Sequence, residues 1–408
     1  MKSSFHGLLL PFRKMKGNSQ VLLLLLLLDV LPFFPPLQCL VSATNNGLLA
    51  EVWLEASSGS YVAKFNIGTP PQSKLLLLDI AQNSMLLQCR RSGISDVPRG
   101  PLVTGDSATF RSIAGKTGAA KKGMQLALDT FTFNTTDGVN PGLSDVKVEG
   151  MEFFCSPRRL TNAGVVGLGP GRLSPLLQLA ARRHLPRHFA YCLSGVDQAP
   201  TPLFLLASNY TFMPMFQIGA SLLHTPLLKR TKTMPGYRVG LKSISIGSRV
   251  LSINPKDLRG GLEISTTEPY TKLVSAAYTT LVREFRRLHN GIPRVKPPAG
   301  TPFDTCFNAS GLGVTRVGPP VNQIDFVLGD GTVWIFFGWN SMVFLSEDVM
   351  CLGFLNAGTP PARSILGTFQ QRDSLVEVDL EANRLGFYPT LSFIHTSCAN
   401  FNFTRSSF

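Results

Sequence analysis

Two apolar runs of similar design, far apart in one chain, restrict what this sequence can fold into. Leu75-Leu76-Leu77-Leu78 ends on Asp79 and follows the turn-forming Gly68-Thr69-Pro70-Pro71-Gln72. Gly260-Gly261-Leu262-Glu263-Ile264 ends on Ser265. Each run has a later companion: Gly164-Val165-Val166-Gly167 for the first, Ile365-Leu366-Gly367 for the second. Short apolar runs bounded by Gly and Pro read as buried strands. Their recurrence implies an internal duplication into two β-rich lobes. The junction falls near His224 to Tyr237, where Pro226, Lys229, Lys232 and Pro235 raise the polarity. A chain of 408 residues is too long for one ordinary core and agrees with that division.

Most of the remaining sequence also reads as strand. Tyr61 to Ile67 alternates, and Ile324–Leu328 and Thr332–Phe336 flank the hairpin signal Gly329-Asp330-Gly331. Two segments read as helices. Ser174 offers an N-cap and Pro175 a first-turn proline before Leu176 to Ala180. Ala277, Tyr278, Leu281, Val282, Phe285 and Leu288 share one helical face after Ser275, and Asn290-Gly291 ends the pattern. On this reading the two helices take similar places in the two halves.

The first residues look like an export leader. Lys2, Arg13, Lys14 and Lys16 precede Val21 and the unbroken leucines Leu22 to Leu28, and Val41-Ser42-Ala43 offers a cleavage site. Asp29, Pro32, Pro35 and Pro36 interrupt the apolar stretch, which argues against a retained membrane helix of ~20 residues. Met15 offers an alternative start that shortens the leader. The expected division is 1–43 signal peptide, 44–228 N-terminal lobe and 229–408 C-terminal lobe. Cleavage removes Cys39 and leaves Cys89, Cys155, Cys192, Cys306, Cys351 and Cys398, an even set compatible with three disulfides in 15 possible arrangements. Sequons at Asn134, Asn209, Asn308 and Asn402 agree with the secretory route and an extracellular, apoplastic destination.

The formal charge is +14, and removing the leader's four Lys/Arg and one Asp leaves +11. That balance favours acidic partners, including anionic wall polymers. Nucleic acid is the other reading of such a charge, but the secretory features argue against it, and Lys121-Lys122, Arg182-Arg183, Lys229-Arg230 and Arg286-Arg287 are scattered and not interleaved with aromatics. No cofactor or metal is expected. Gly167-Leu168-Gly169-Pro170-Gly171 lacks the Lys-Ser/Thr of a phosphate loop. His184, His188, His224, His289 and His395 form no ligand cluster with cysteine or carboxylate, and Pro186 breaks the helical spacing of the first two.

The turn before Asp79, the Gly164 to Gly169 stretch and Ile365-Leu366-Gly367-Thr368-Phe369-Gln370 resemble plant pepsin-like aspartic peptidases. So does the tail Glu377-Val378-Asp379-Leu380 … Asn383-Arg384-Leu385-Gly386-Phe387. Ile264 to Thr271, Thr315 to Pro319, Ser346-Glu347-Asp348 and Thr396 to Phe403 are most similar to one branch of that family. It holds extracellular dermal glycoprotein, basic seven-S globulin, and inhibitors of xylanases and xyloglucan-specific endoglucanases. The resemblance spans about Glu51 to Phe408. It implies an all-β, bilobal pepsin-like fold: two six-stranded barrel-like lobes around a central cleft.

Under that resemblance Asp79 is the first catalytic aspartate and Ser265 stands where the second belongs. A pepsin-type centre needs two carboxylates close enough to share a proton, one polarising water and the other protonating the peptide. A serine hydroxyl does not ionise usefully near neutral or acidic pH. Active members follow each Asp with Thr or Ser and then Gly; here Ile80-Ala81 and Thr266-Thr267 follow instead. The tyrosine of the active family's flap is also missing, since none occurs between Tyr61 and Tyr191. Asp257 and Asp304 follow no apolar strand that would aim them at the centre.

The expected function is therefore a secreted, catalytically inactive pepsin-like protein that binds glycoside hydrolases. The alternatives are an aspartic endopeptidase with residual activity and a storage or peptide-binding protein like the seed globulins. In the cereal xylanase inhibitors a histidine four residues before the last cysteine enters the enzyme's cleft. That place here is Ile394, with His395 one residue closer to Cys398; on an extended segment the shift turns a side chain to the other side. The resemblance pairs Cys306 with Cys351; among the other four, which allow three arrangements, Cys89–Cys155 and Cys192–Cys398 are the expected pairs.

Overall fold

Alternation along the leucine-rich strand Gln72–Asp79 sets the inner face of the first lobe. Gln72, Lys74, Leu76 and Leu78 are buried, while Ser73, Leu75 and Leu77 are half-buried, so the four leucines serve both faces of a covered strand. The two polar inward residues tie down the neighbouring loop. Lys74 Nζ donates to Ser95 O at 2.9 Å and Val97 O at 3.0 Å, and burial lowers its pKa. Gln72 exchanges two hydrogen bonds with the backbone of Val103.

The structure is a computed structural model that describes residues 47–113, 123–160, 162–231 and 233–407. The leader, Cys39 and the Lys121-Lys122 pair lie outside the described residues. Residues 45–408 form one compact unit.

The expected strand pairs form in both halves. Gln72–Asp79 runs parallel to Gly164–Gly167, which lies antiparallel to Leu86–Arg90, itself parallel to Pro141–Ser156. The second half repeats the pattern. Leu262–Ile264 runs parallel to Ser364–Leu366, which meets Thr271–Val274 antiparallel, itself parallel to Phe354–Gly358. The helices do not follow this symmetry, contrary to expectation. Pro175–Arg183 comes after the companion strand of the first half, whereas Ser275–Leu288 continues directly from Thr271–Val274. Periodicity locates a helix along the chain but says nothing of which strand it covers.

The described strands gather into one fourteen-stranded sheet and four smaller ones. The large sheet crosses between the halves. Leu375–Asp379, late in the chain, pairs antiparallel with His188–Cys192, and Arg384–Tyr388 and Leu223–Pro226 extend the same edge. The hairpin Ile324–Leu328/Val333–Phe336 forms as expected. Its Trp334, fully buried, stacks on Phe387 of the crossing sheet with ring centroids 4.3 Å apart, so the smaller sheet and the crossing sheet share one core.

Both expected helices are present, as Pro175–Arg183 and Ser275–Leu288. Ser174 holds the N-cap position with extended backbone, but its hydroxyl caps no N–H and is buried without a partner. One-turn helices at Pro255–Leu258 and Gly338–Ser341 add to them; Asn254 Oδ1 caps the former by accepting from Lys256 N at 3.0 Å. His184 ends the first helix in a left-handed conformation and His188 opens a strand, so the two share no helical face. Among the described residues no helix is long and apolar enough to cross a membrane.

Candidate functional site

Asp79 is the last residue of its strand and begins a tight turn. Its Oδ1 accepts from Ala81 N at 2.9 Å and Gln82 N at 3.2 Å. The turn is pressed against the companion strand, where a Cβ on Gly167 would meet Gln82 O at 2.5 Å. Only glycine permits that approach. Ser265 repeats the arrangement in the second lobe. Its Oγ accepts from Thr267 N at 3.2 Å and Glu268 N at 3.1 Å, the same second and third residues onward. A Cβ on Gly367 would stand 2.3 Å from the Tyr270 carbonyl carbon. Serine thus reproduces the turn-holding role of the aspartate and leaves out its charge.

The two turns are tied across the lobes by Thr266. Its Oγ1 donates to Leu78 O at 2.7 Å and accepts from Ile80 N at 3.2 Å. The reciprocal bond does not exist, because Ile80 has no hydroxyl; its side chain is fully buried in the core instead. Behind Ser265, Gln371 Nε2 donates to Ser265 O at 2.7 Å while Tyr191 OH donates to Gln371 Oε1 at 2.6 Å. Burial pushes the Tyr191 phenol far above its ordinary range. Thr266, Gln371 and Tyr191 carried no motif that singled them out in the sequence. The polar residue after Ser265 was the one usable signal.

Among the described residues no second carboxylate is hydrogen-bonded to Asp79 or Ser265. Glu263, two residues before Ser265, pairs with Arg363 at 3.1 Å, and Glu268, three residues after it, is held by Lys272 at 2.6 Å. Asp304 lies 3.7 Å from Arg286, beside the Ser275–Leu288 helix. Asp257 sits in the first turn of the short Pro255–Leu258 helix. The centre therefore holds one carboxylate opposite a neutral alcohol. It can accept and donate hydrogen bonds, but it cannot share a proton between two acids. The strands Arg111–Ile113 and Gln125–Thr136 pair antiparallel, and residues 114–122 between them fall outside the described residues.

Residues 106–205 match the family described as Xylanase inhibitor N-terminal, and residues 236–389 match Xylanase inhibitor C-terminal. The Probable aspartic proteinase GIP2 of Nicotiana benthamiana is 36% identical over 305 residues, covering 69% of this chain and 69% of its own. The chain belongs to the plant xylanase-inhibitor-like branch of the pepsin-like family. Gamma conglutin 1 of Prunus dulcis, another member by similarity, is 35% identical over 294 residues, with 69% of this chain and 67% of that protein covered. The crystal structure of edgp superposes with a TM-score of 0.79 at 29% identity, covering 88% of this chain and 98% of that one.

Other expected features of this xylanase-inhibitor-like chain can now be placed. Three disulfides close Cys89–Cys155, Cys192–Cys398 and Cys306–Cys351; the last is the pair implied by the resemblance, and the other two are the expected ones. The tail that carries Ile394 and His395 is not extended, contrary to expectation. Leu391–Ile394 forms a 3-10 turn and His395 ends it in a left-handed conformation. The three-residue period of that turn replaces the two-residue alternation of a strand. Ile394 packs on the cluster around Cys192, Phe204 and Cys398, and His395 is exposed. Of the sequon asparagines, Asn209 spends its amide nitrogen on Asp137 O at 3.2 Å. Asn134, Asn308 and Asn402 only accept through Oδ1, from Arg405, Ser310 and Thr404 respectively.

Proposed function

We propose that this chain is a secreted, catalytically silent pepsin-like protein of the plant cell wall space that binds glycoside hydrolases. The observation that carries the reading is Ser265. Its oxygen takes over the turn's two N–H groups, and the charge a peptidase needs is absent. General acid–base help is worth about 10²–10⁴ in rate, and one carboxylate supplies half of the pair. A surface suited to protein contact supports the second part of the reading. Trp339 and Phe344 are 45% and 37% exposed beside Arg316 and Arg372 around a cavity of about 470 Å³. Trp and Arg are the side chains that most often anchor protein interfaces. Ser392 of the C-terminal tail lines the same cavity.

The direct test mixes purified protein with a panel of xylanases and endoglucanases and measures both binding and residual hydrolysis. Failure to bind any of them removes the glycoside hydrolase reading. The similarity to the Probable aspartic proteinase GIP2 of Nicotiana benthamiana favours a second reading, an aspartic endopeptidase with residual activity. An acid protease assay separates the two. Pepstatin-sensitive cleavage that disappears in Asp79→Asn establishes the endopeptidase; identical background in both proteins establishes the silent centre.

A further inference from the structure

The groove beside the Ser275–Leu288 helix lies outside the Asp79–Ser265 centre and the tail. It encloses about 690 Å³, and its walls carry Arg283, Arg286, Arg287 and Arg294 against a single carboxylate, Asp304. Asp304 is engaged, accepting from Thr305 Oγ1 at 2.7 Å and lying 3.7 Å from Arg286. Just outside the groove, Glu284 faces Arg287 at 2.9 Å, Arg249 at 3.5 Å and Arg283 at 3.6 Å. Three guanidiniums on one carboxylate leave positive charge uncompensated. The Arg294 side chain makes no hydrogen bond or ion pair among the described residues and is exposed.

Cations in the last turn of a helix are ordinary partners for its dipole, and that accounts for Arg286 and Arg287. It does not account for Arg283, one turn earlier, or for Arg294, which lies beyond the helix on the strand Arg294–Val295. Those two extend the charge along the groove.

We propose that this groove binds a linear polyuronate, a sugar chain bearing one carboxylate per unit. Guanidinium forks pair with carboxylates through two parallel hydrogen bonds. Residues three and four apart on a helix are neighbours, so Arg283 and Arg287 present forks in a row to a polymer whose charges also repeat. The cavity falls in the size range of small-ligand sites. Nucleic acid fits poorly: the one aromatic on the wall, Tyr278, is only 7% exposed and offers no face for base stacking. A folded acidic protein fits poorly too, because Val282, Ile292 and Pro293 are the aliphatic residues of the lining and no exposed aromatic anchors a contact. The site does not depend on the protein-binding reading above; either can fail alone.

The test measures affinity of the full secreted chain for polygalacturonate and for its fully methyl-esterified form at near-physiological salt. The triple variant Arg283→Gln, Arg287→Gln, Arg294→Gln is compared with Arg91→Gln, Arg158→Gln, Arg259→Gln, exposed positions elsewhere that remove the same charge. The groove variant is expected to bind polygalacturonate roughly tenfold more weakly, about half a kcal/mol per arginine. The control set and the wild type should stay within about twofold of each other, and the esterified polymer should bind neither. Equal loss in both triple variants, no loss in either, or equal binding of the esterified polymer overturns the proposal. Should the glutamine set melt early, Arg283→Lys, Arg287→Lys, Arg294→Lys keeps the charge without the forks. Intermediate affinity of that set supports carboxylate recognition by guanidinium; wild-type affinity refutes it.

Discussion

Replacing Thr266 by valine deletes one hydroxyl from a side chain that is 0% exposed and changes its shape very little. Two backbone groups of the other lobe depend on that hydroxyl: Ile80 N at 3.2 Å and Leu78 O at 2.7 Å. Ile80 is itself 0% exposed, so its N–H cannot turn to water. An orphaned buried donor costs about 1–3 kcal/mol, and the lost bond at Leu78 O about 1 kcal/mol more. Dehydrating one hydroxyl fewer offsets about 1 kcal/mol of this, which leaves a net loss of about 1–3 kcal/mol, centred near 2, for Thr266→Val. Thr266→Ser keeps the hydroxyl and loses one methyl group, about 1 kcal/mol. Urea unfolding with disulfides intact, followed by tryptophan fluorescence, reads both variants. Valine should therefore destabilise more than serine. If apolar burial dominated at this position, the order would reverse, and a valine variant at least as stable as the serine variant would refute the assignment of an essential bond between the lobes.

Two further outcomes are expected. His289 Nε2 accepts from Asn322 N at 2.9 Å while Nδ1 donates to Phe285 O at 2.8 Å, so a second ring proton would face the Asn322 N–H. Burial lowers its pKa. Below the ordinary histidine value of ~6.5 the unfolded chain is protonated and the folded one is not, so this residue's share of stability falls as pH drops, by at most about 1.4 kcal/mol per pH unit. His289→Gln should flatten the stability profile just below about pH 6.5; an unchanged slope would show that His289 is not the group responsible. Removing Cys192–Cys398 by paired serines should cost about 5 kcal/mol on the chain-entropy account, against about 4 for Cys306–Cys351, because the closed segments span 206 and 45 residues. Urea midpoints in the opposite order would mean that local packing, not loop closure, dominates.

Local composition was enough to announce the strand pairs, both longer helices, the Gly329-Asp330-Gly331 hairpin and the substitution at Ser265. Each depends on a short-range rule: apolar runs with glycine neighbours, helical spacing, turn residues. Asp79 and Ser265 were visible because each ends such a run. Only the structure decided that the two helices follow different strands of their halves and that Leu375–Asp379 joins the sheet begun by the first lobe. The same holds for the tail, which curls through a 3-10 turn at Leu391–Ile394, and for Thr266, whose partners lie nearly half a chain away. The arginine groove belongs with these, since Arg283 on a helix and Arg294 on a strand share a cavity only after folding. Such features arise from contacts between residues distant in sequence, and a pattern read through neighbouring positions carries no record of them.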